Sequence, residues 1–175
     1  MKNKNKSQET DITVVSLGAS AGGLDAFKKF FTSMPSNSGI AFVLIQHLDP
    51  SHESLMVDLL ARHTEMLVQQ AKNNMKVKAN NVYIIPPNKY MSIHEGVLRL
   101  LSPVERRGMR MPIDFFFRSL AEDRKEKAIC IILSGTGSDG TLGLRTIKEL
   151  GGMVMVQEPH EASYDGMPRS AINTG

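Results

Sequence analysis

Apolar residues fall in two rhythms along the chain. Residues 13–17, 41–45 and 129–133 are short, nearly continuous apolar runs rich in β-branched side chains, the pattern of buried strands. Between them the spacing becomes helical. Leu24, Phe27 and Phe31 recur at i, i+3, i+7, and Met56, Leu59, Leu60 and His63 at i, i+3, i+4, i+7. Ile113, Phe116, Phe117 and Leu120 repeat the second pattern, and Leu144, Ile147 and Leu150 mark a further helix. Met34-Pro35 ends the first helix, Pro112 suits the opening of the third, and Gly151-Gly152 closes the fourth. Residues 153–156 form a last clear strand, and Pro168 opens a short final helix. Strands alternating with helices predict parallel βαβ units.

The middle of the chain breaks this rhythm. Residues 82–85 form an apolar run before Pro86-Pro87. Residues 91–94 and 97–101 flank Glu95-Gly96, a two-residue hairpin signal. The expected fold class is therefore α/β: a mainly parallel sheet with a small antiparallel hairpin insertion at one edge. Residues 102–111 read as a basic, glycine-containing loop.

Composition narrows the picture. The chain has 175 residues, enough for one domain with a substantial core. A net charge of +3 is too small to indicate a nucleic-acid partner. No apolar stretch approaches the ~20 residues needed to insert across a membrane. Cys130 is the single cysteine, so a disulfide framework is excluded and a reducing, cytoplasmic location is expected. Its apolar neighbours read it as a packed hydrophobe rather than a catalytic thiol. Residues 1–11 are a polar, disordered lead-in without a signal-peptide core, leaving 12–175 as the domain.

Three residues share one topological position. Ser20 follows the first strand, His47 the second, and Asp139 the strand ending near Leu133. In a parallel sheet such turns gather at the carboxyl edge, where open α/β sheets bind ligands. A serine hydroxyl needs a base to become nucleophilic, and a histidine oriented by a carboxylate supplies one near neutral pH. Gly18, Gly22 and Gly23 permit a tight turn around Ser20, at a helix amino terminus suited to a developing oxyanion. The backbone N–H groups of Ala21 and Thr136 are the candidate donors. These residues alone leave other readings open. A glycine-rich turn after a first strand also suits phosphate, although the spacing here departs from G-x-G-x-x-G and lacks the phosphate-loop lysine. His47 can be structural, and Asp139 can be a helix cap. His47, Asp49, His52 and Glu53 cluster, but not at the H-E-x-x-H spacing, and no metal is assigned.

Taken together, Gly18-Ala19-Ser20-Ala21-Gly22-Gly23, Gln46-His47 and Ser134-Gly135-Thr136-Gly137-Ser138-Asp139-Gly140 resemble the catalytic signatures of bacterial chemotaxis protein-glutamate methylesterases. Tyr164-Asp165-Gly166-Met167-Pro168-Arg169-Ser170-Ala171 resembles that family's carboxy-terminal motif. The resemblance runs from about Ile12 to Gly175 and implies a doubly wound sheet with helices on both faces. It implies Ser20, His47 and Asp139 as catalytic triad and methyl-accepting chemoreceptors, or similar methylated signalling proteins, as partners. It also implies hydrolysis of glutamate γ-methyl esters, with related enzymes deamidating glutamine. No metal or organic cofactor is required. Met167 and Arg169 are candidates for the substrate edge. Pro112-Ile113-Asp114-Phe115-Phe116-Phe117-Arg118-Ser119-Leu120 resembles esterase domains fused to a methyltransferase, often with sensory kinase modules. Ala21 and Thr136 stand where stand-alone members often have threonine and methionine. The family's receiver domain is not expected within this chain, and the abrupt end at Asn173-Thr174-Gly175 suggests part of a longer protein. The competing expectation is a non-catalytic receptor- or partner-binding module; a nucleotide-binding domain is a third. Arg106, Arg107 and Arg110 are read as a charged loop that can steer the domain onto acidic partners.

Overall fold

Six short segments of the described chain pair side by side as parallel strands. The computed structural model describes residues 12–46, 53–104 and 110–175. The strands are β1 (Val14–Ala19), β2 (Ala41–Gln46), β3 (Leu67–Gln70), β5 (Asn81–Ile84), β8 (Ala128–Ile132) and β9 (Met153–Val156). They form a wholly parallel sheet in the order β3-β5-β2-β1-β8-β9. The central strand β1 is buried along its whole length, as expected where both faces of a sheet are covered.

Alternate side chains of these strands enter two separate cores. Val15, Leu17, Phe42, Leu44, Val82 and Ile84 face α1 (Gly23–Ser33) and α2 (Glu53–Ala61), meeting Phe27, Phe31, Met56 and Leu60. Val14, Val43, Ile45, Tyr83, Cys130 and Ile132 share the opposite core with Ile113, Phe116, Phe117 and Leu120 of α3 (Pro112–Arg124) and with Leu144 and Ile147 of α4 (Thr141–Glu149). The sheet is thus doubly wound, with helices on both faces. Gly18 lies within β1 rather than in the turn after it. A Cβ there would come within 2.5 Å of Ile113 Cγ2, so its bareness lets α3 approach the sheet.

The hairpin forms at Glu95-Gly96, with φ of 50° and 72°, joining β6 (Tyr90–His94) to β7 (Val97–Leu101). It does not extend the parallel sheet. With β4 (Met75–Lys76) it makes a separate antiparallel sheet in the order β4-β7-β6. Met91, Ile93 and Leu98 turn into the α3 core, and the last-turn Asp123 of α3 accepts the Glu95 N–H at 2.5 Å. The final helix, α5 (Gly166–Ile172), begins two residues before Pro168.

Candidate active site

Chain order reverses direction in the sheet between β1 and β8. The connection after β1 runs through α1 to β2 on one side; that after β8 runs through α4 to β9 on the other. The crevice between such strands, at their carboxyl ends, is where open α/β sheets hold ligands. Ser20 is the first residue beyond β1, and residues 133–140 are the loop beyond β8.

Ser20 starts a tight turn that the glycines make possible. Gly23 N–H donates to Ser20 O at 3.0 Å, and Gly22 takes φ 72°, ψ 2° at the third position, the geometry of a type II turn. The turn is bonded to the β8 loop. Ser20 N–H donates to Ser134 O at 3.0 Å, and the Ser134 hydroxyl donates to Ala21 O at 2.8 Å. Ser134 is 1% exposed, its N–H donates to Gln157 Oε1 at 2.8 Å, and its hydroxyl accepts the Tyr164 N–H at 3.0 Å. One small side chain therefore joins the Ser20 turn, the β8 loop and the segment before α5. Gly135 completes the joint. A Cβ on it would lie 2.1 Å from Met167 Sδ and 3.0 Å from both Ser20 N and Ser20 Cβ.

Backbone donors near Ser20 divide into used and unused. Ser20, Gly23 and Gly135 N–H groups donate to Ser134, Ser20 and Tyr164 carbonyls. Among the described residues, the N–H groups of Ala21 and Thr136 donate to no protein acceptor. Thr136 is exposed and Ala21 half-buried.

Asp139 is 5% exposed and acts as a cap, but not for the helix that follows it. Its two carboxylate oxygens accept the N–H groups of Ile113 (3.0 Å) and Asp114 (2.9 Å), at the start of α3. The cap position of α4 is taken by Gly140, with φ 93°. In return Asp114 Oδ1 accepts Gly143 N–H at 2.7 Å, in the first turn of α4. Burial pushes the Asp114 carboxyl above its ordinary value, the Gly143 N–H opposes this, and the charge of Asp139 adds to the rise.

Met167 is 1% exposed and packs beneath Gly135, whereas Arg169 is exposed and paired with Asp165. An open groove of about 510 Å³ runs between residues 136–137 and 162–166. His47, Asp49 and His52 lie outside the described residues, as do Arg106, Arg107 and the side chain of Glu53. Among the described residues no three His, Cys, Asp or Glu side chains are grouped to hold a metal. No described helix is long and apolar enough to cross a membrane. Ser134 and Asp114 stand in quoted motifs and Gln157 in none, but the sequence gives none of them a role, because their partners are 23 to 113 residues away.

The fold and crevice define a doubly wound α/β domain with a serine at its ligand-binding edge. A sequence model of the CheB methylesterase family matches residues 15–175. The chain belongs to the CheB methylesterase family. It is 35% identical over 157 residues to a putative protein-glutamate methylesterase/protein-glutamine glutaminase of Leptospira interrogans, covering 89% of this chain and 81% of that protein. It is 46% identical over 120 residues to an uncharacterized 104.1 kDa protein of Rhodobacter capsulatus, covering 69% of this chain and 12% of that protein. It spans 44% to 49% of five further relatives named protein-glutamate methylesterase/protein-glutamine glutaminase. The crystal structure of the Thermotoga maritima CheB methylesterase catalytic domain superposes with a TM-score of 0.87 at 29% identity, covering 94% of this chain and 89% of that one.

Proposed function

We propose that this chain is a protein-glutamate methylesterase domain that hydrolyses glutamate γ-methyl esters on a chemoreceptor, with Ser20 as nucleophile, His47 as base and Asp139 as the orienting carboxylate. The observation that carries this reading is the bonding of the Ser20 turn to the β8 loop at the crevice between β1 and β8, in a chain of this family. The N–H groups of Ala21 and Thr136, which no acceptor among the described residues claims, support their role as oxyanion donors.

The chemistry follows the serine-hydrolase sequence. His47 takes the Ser20 proton as Oγ attacks the ester carbonyl. Negative charge gathers on the carbonyl oxygen, facing the two N–H groups. The C–O bond to the methoxy group breaks, and the proton returns to that oxygen as methanol leaves. Water, deprotonated by the same imidazole, then cleaves the acyl-enzyme to glutamate and free Ser20. With glutamine in place of the ester, ammonia is the leaving product.

The groove between residues 136–137 and 162–166 is the place for the receptor segment flanking the ester; Arg169 is paired with Asp165 of its lining, and Met167 is buried against the neighbouring Gly135. The match to 12% of a 104.1 kDa relative supports a multidomain setting; fused methyltransferase and sensory kinase modules are proposed from the resemblance of residues 112–120 alone. The single, buried cysteine fits a cytoplasmic enzyme. Methyl-labelled receptor incubated with the chain tests the reading: labelled methanol should appear together with new glutamate at the modified positions. Methanol at the rate of the buffer blank would overturn it.

A further inference from the structure

The Ser20–Ala21 peptide is gripped from its carbonyl side by two donors. One is the Gly23 N–H at 3.0 Å, the ordinary closure of the turn. The other is the side-chain amide of Gln46, whose Nε2 donates to the same Ser20 O at 3.3 Å. Gln46 is the last residue of β2 and pairs in register with Ala19, directly before the serine. Its amide also lies over the turn: a Cβ on Gly23 would sit 3.3 Å from Gln46 Cδ and Nε2.

A trans peptide points its C=O and N–H in opposite directions. Fixing the direction of Ser20 C=O therefore fixes that of Ala21 N–H, which no described acceptor claims. The turn bond alone leaves that plane able to rock; a second donor to the same oxygen restrains it. Gln46 is also a poor choice for packing alone, because among the described residues its buried Oε1 has no hydrogen-bond partner. An orphaned oxygen costs stability that an apolar side chain of similar shape would not.

We infer that Gln46 is a positioning residue of the esterase: its amide aims the Ala21 N–H at the oxyanion formed on Ser20. This rests on Ser20 being the nucleophile. Fewer rocking conformations mean that less reorganisation is needed as charge develops, which is the basis of oxyanion-hole catalysis.

The test is phosphonylation of the whole chain by a fluorophosphonate. Ser20 Oγ forms a bond to phosphorus, fluoride leaves, the serine proton passes to the base, and the phosphoryl oxygen takes the oxyanion position. Gln46→Met keeps the shape and removes the donor; Gln46→Glu keeps the size and replaces the donor with an acceptor. Both should label about tenfold more slowly, a fraction of the ~10²–10³ lost when a donor is removed outright. The midpoint of the pH profile should stay in place, because the plateau and not the base is affected. In ¹⁵N-labelled protein the Ala21 amide proton should move downfield on phosphonylation of the parent, and less far in Gln46→Met. Folded variants that label within about twofold of the parent rate would overturn the inference. So would a parent Ala21 amide that does not move on phosphonylation, a result independent of whether any variant folds. A parent that is not labelled at Ser20 would overturn the nucleophile assignment as well.

Discussion

At Gly135, one hydrogen in place of a methyl group keeps Ser20 where it is. A Cβ would press on Met167 Sδ, at the flexible end of a side chain, but also on Ser20 N, which is backbone and already bonded to Ser134 O. Met167 can swing aside; Ser20 N cannot. Gly135→Ala should therefore cost about 1–3 kcal/mol in urea unfolding. Its loss of turnover on receptor ester should be larger than its loss of stability, because the displaced atom belongs to Ser20, the proposed nucleophile. Stability and turnover measured on the same variant check this: unchanged turnover in a destabilised protein would show that Ser20 does not feel the contact. The residue types at this site were legible in the sequence, since Ser20, Asp139 and their glycines stand in short motifs. What was illegible was their support. Ser134 and Gln46 make bonds across the crevice that no local spacing records.

At the scale of elements, α3 and α4 exchange caps. Asp139, just before α4, caps α3, and Asp114, in the first turn of α3, caps α4. Each helix amino terminus carries partial positive charge that favours a carboxylate, but here the two carboxylates share one buried region. Asp114→Ala should lose about 1–3 kcal/mol, the cost of leaving a buried N–H unpaired. Asp114→Asn keeps an acceptor for Gly143 and should cost less. The pH dependence has a definite sign. The folded carboxyl is raised from 3.8, so the parent loses stability as pH climbs from the unfolded value towards the folded one. The amide of the Asp114→Asn variant does not titrate, so the stability of that variant relative to the parent should rise with pH across that window and then level off. Unfolding free energies at several pH values check it; a difference flat from acid to neutral would contradict the coupling. The capping role of Asp139 was among the sequence readings, but its target was not, because the capped helix lies earlier in the chain. Strand β3 was missed for a related reason. Leu67 is 61% exposed at the sheet edge and Gln69-Gln70 carry no apolar signal.

At the scale of the whole molecule, one fact organises the rest: β1 and β8 are neighbours with their onward connections running in opposite directions. That brings the Ser20 turn and the loop holding Asp139 to one crevice, although 119 residues separate them in the sequence. Alternation of strands and helices made the parallel sheet legible, and the hairpin was legible from Glu95-Gly96. The placement of that hairpin in its own sheet was not, because its partner β4 is two residues long and carries no strand pattern. The central claim is that Ser20 and Asp139 work as parts of one catalytic unit, and residues that act as a unit give non-additive losses. Methanol release should be measured for the parent, Ser20→Ala, and Ser20→Ala combined with Asp139→Asn. Ser20→Ala alone should lower the rate by on the order of 10⁴–10⁶, with no further loss in the double variant. Ser20→Ala releasing methanol as fast as the parent would contradict the account.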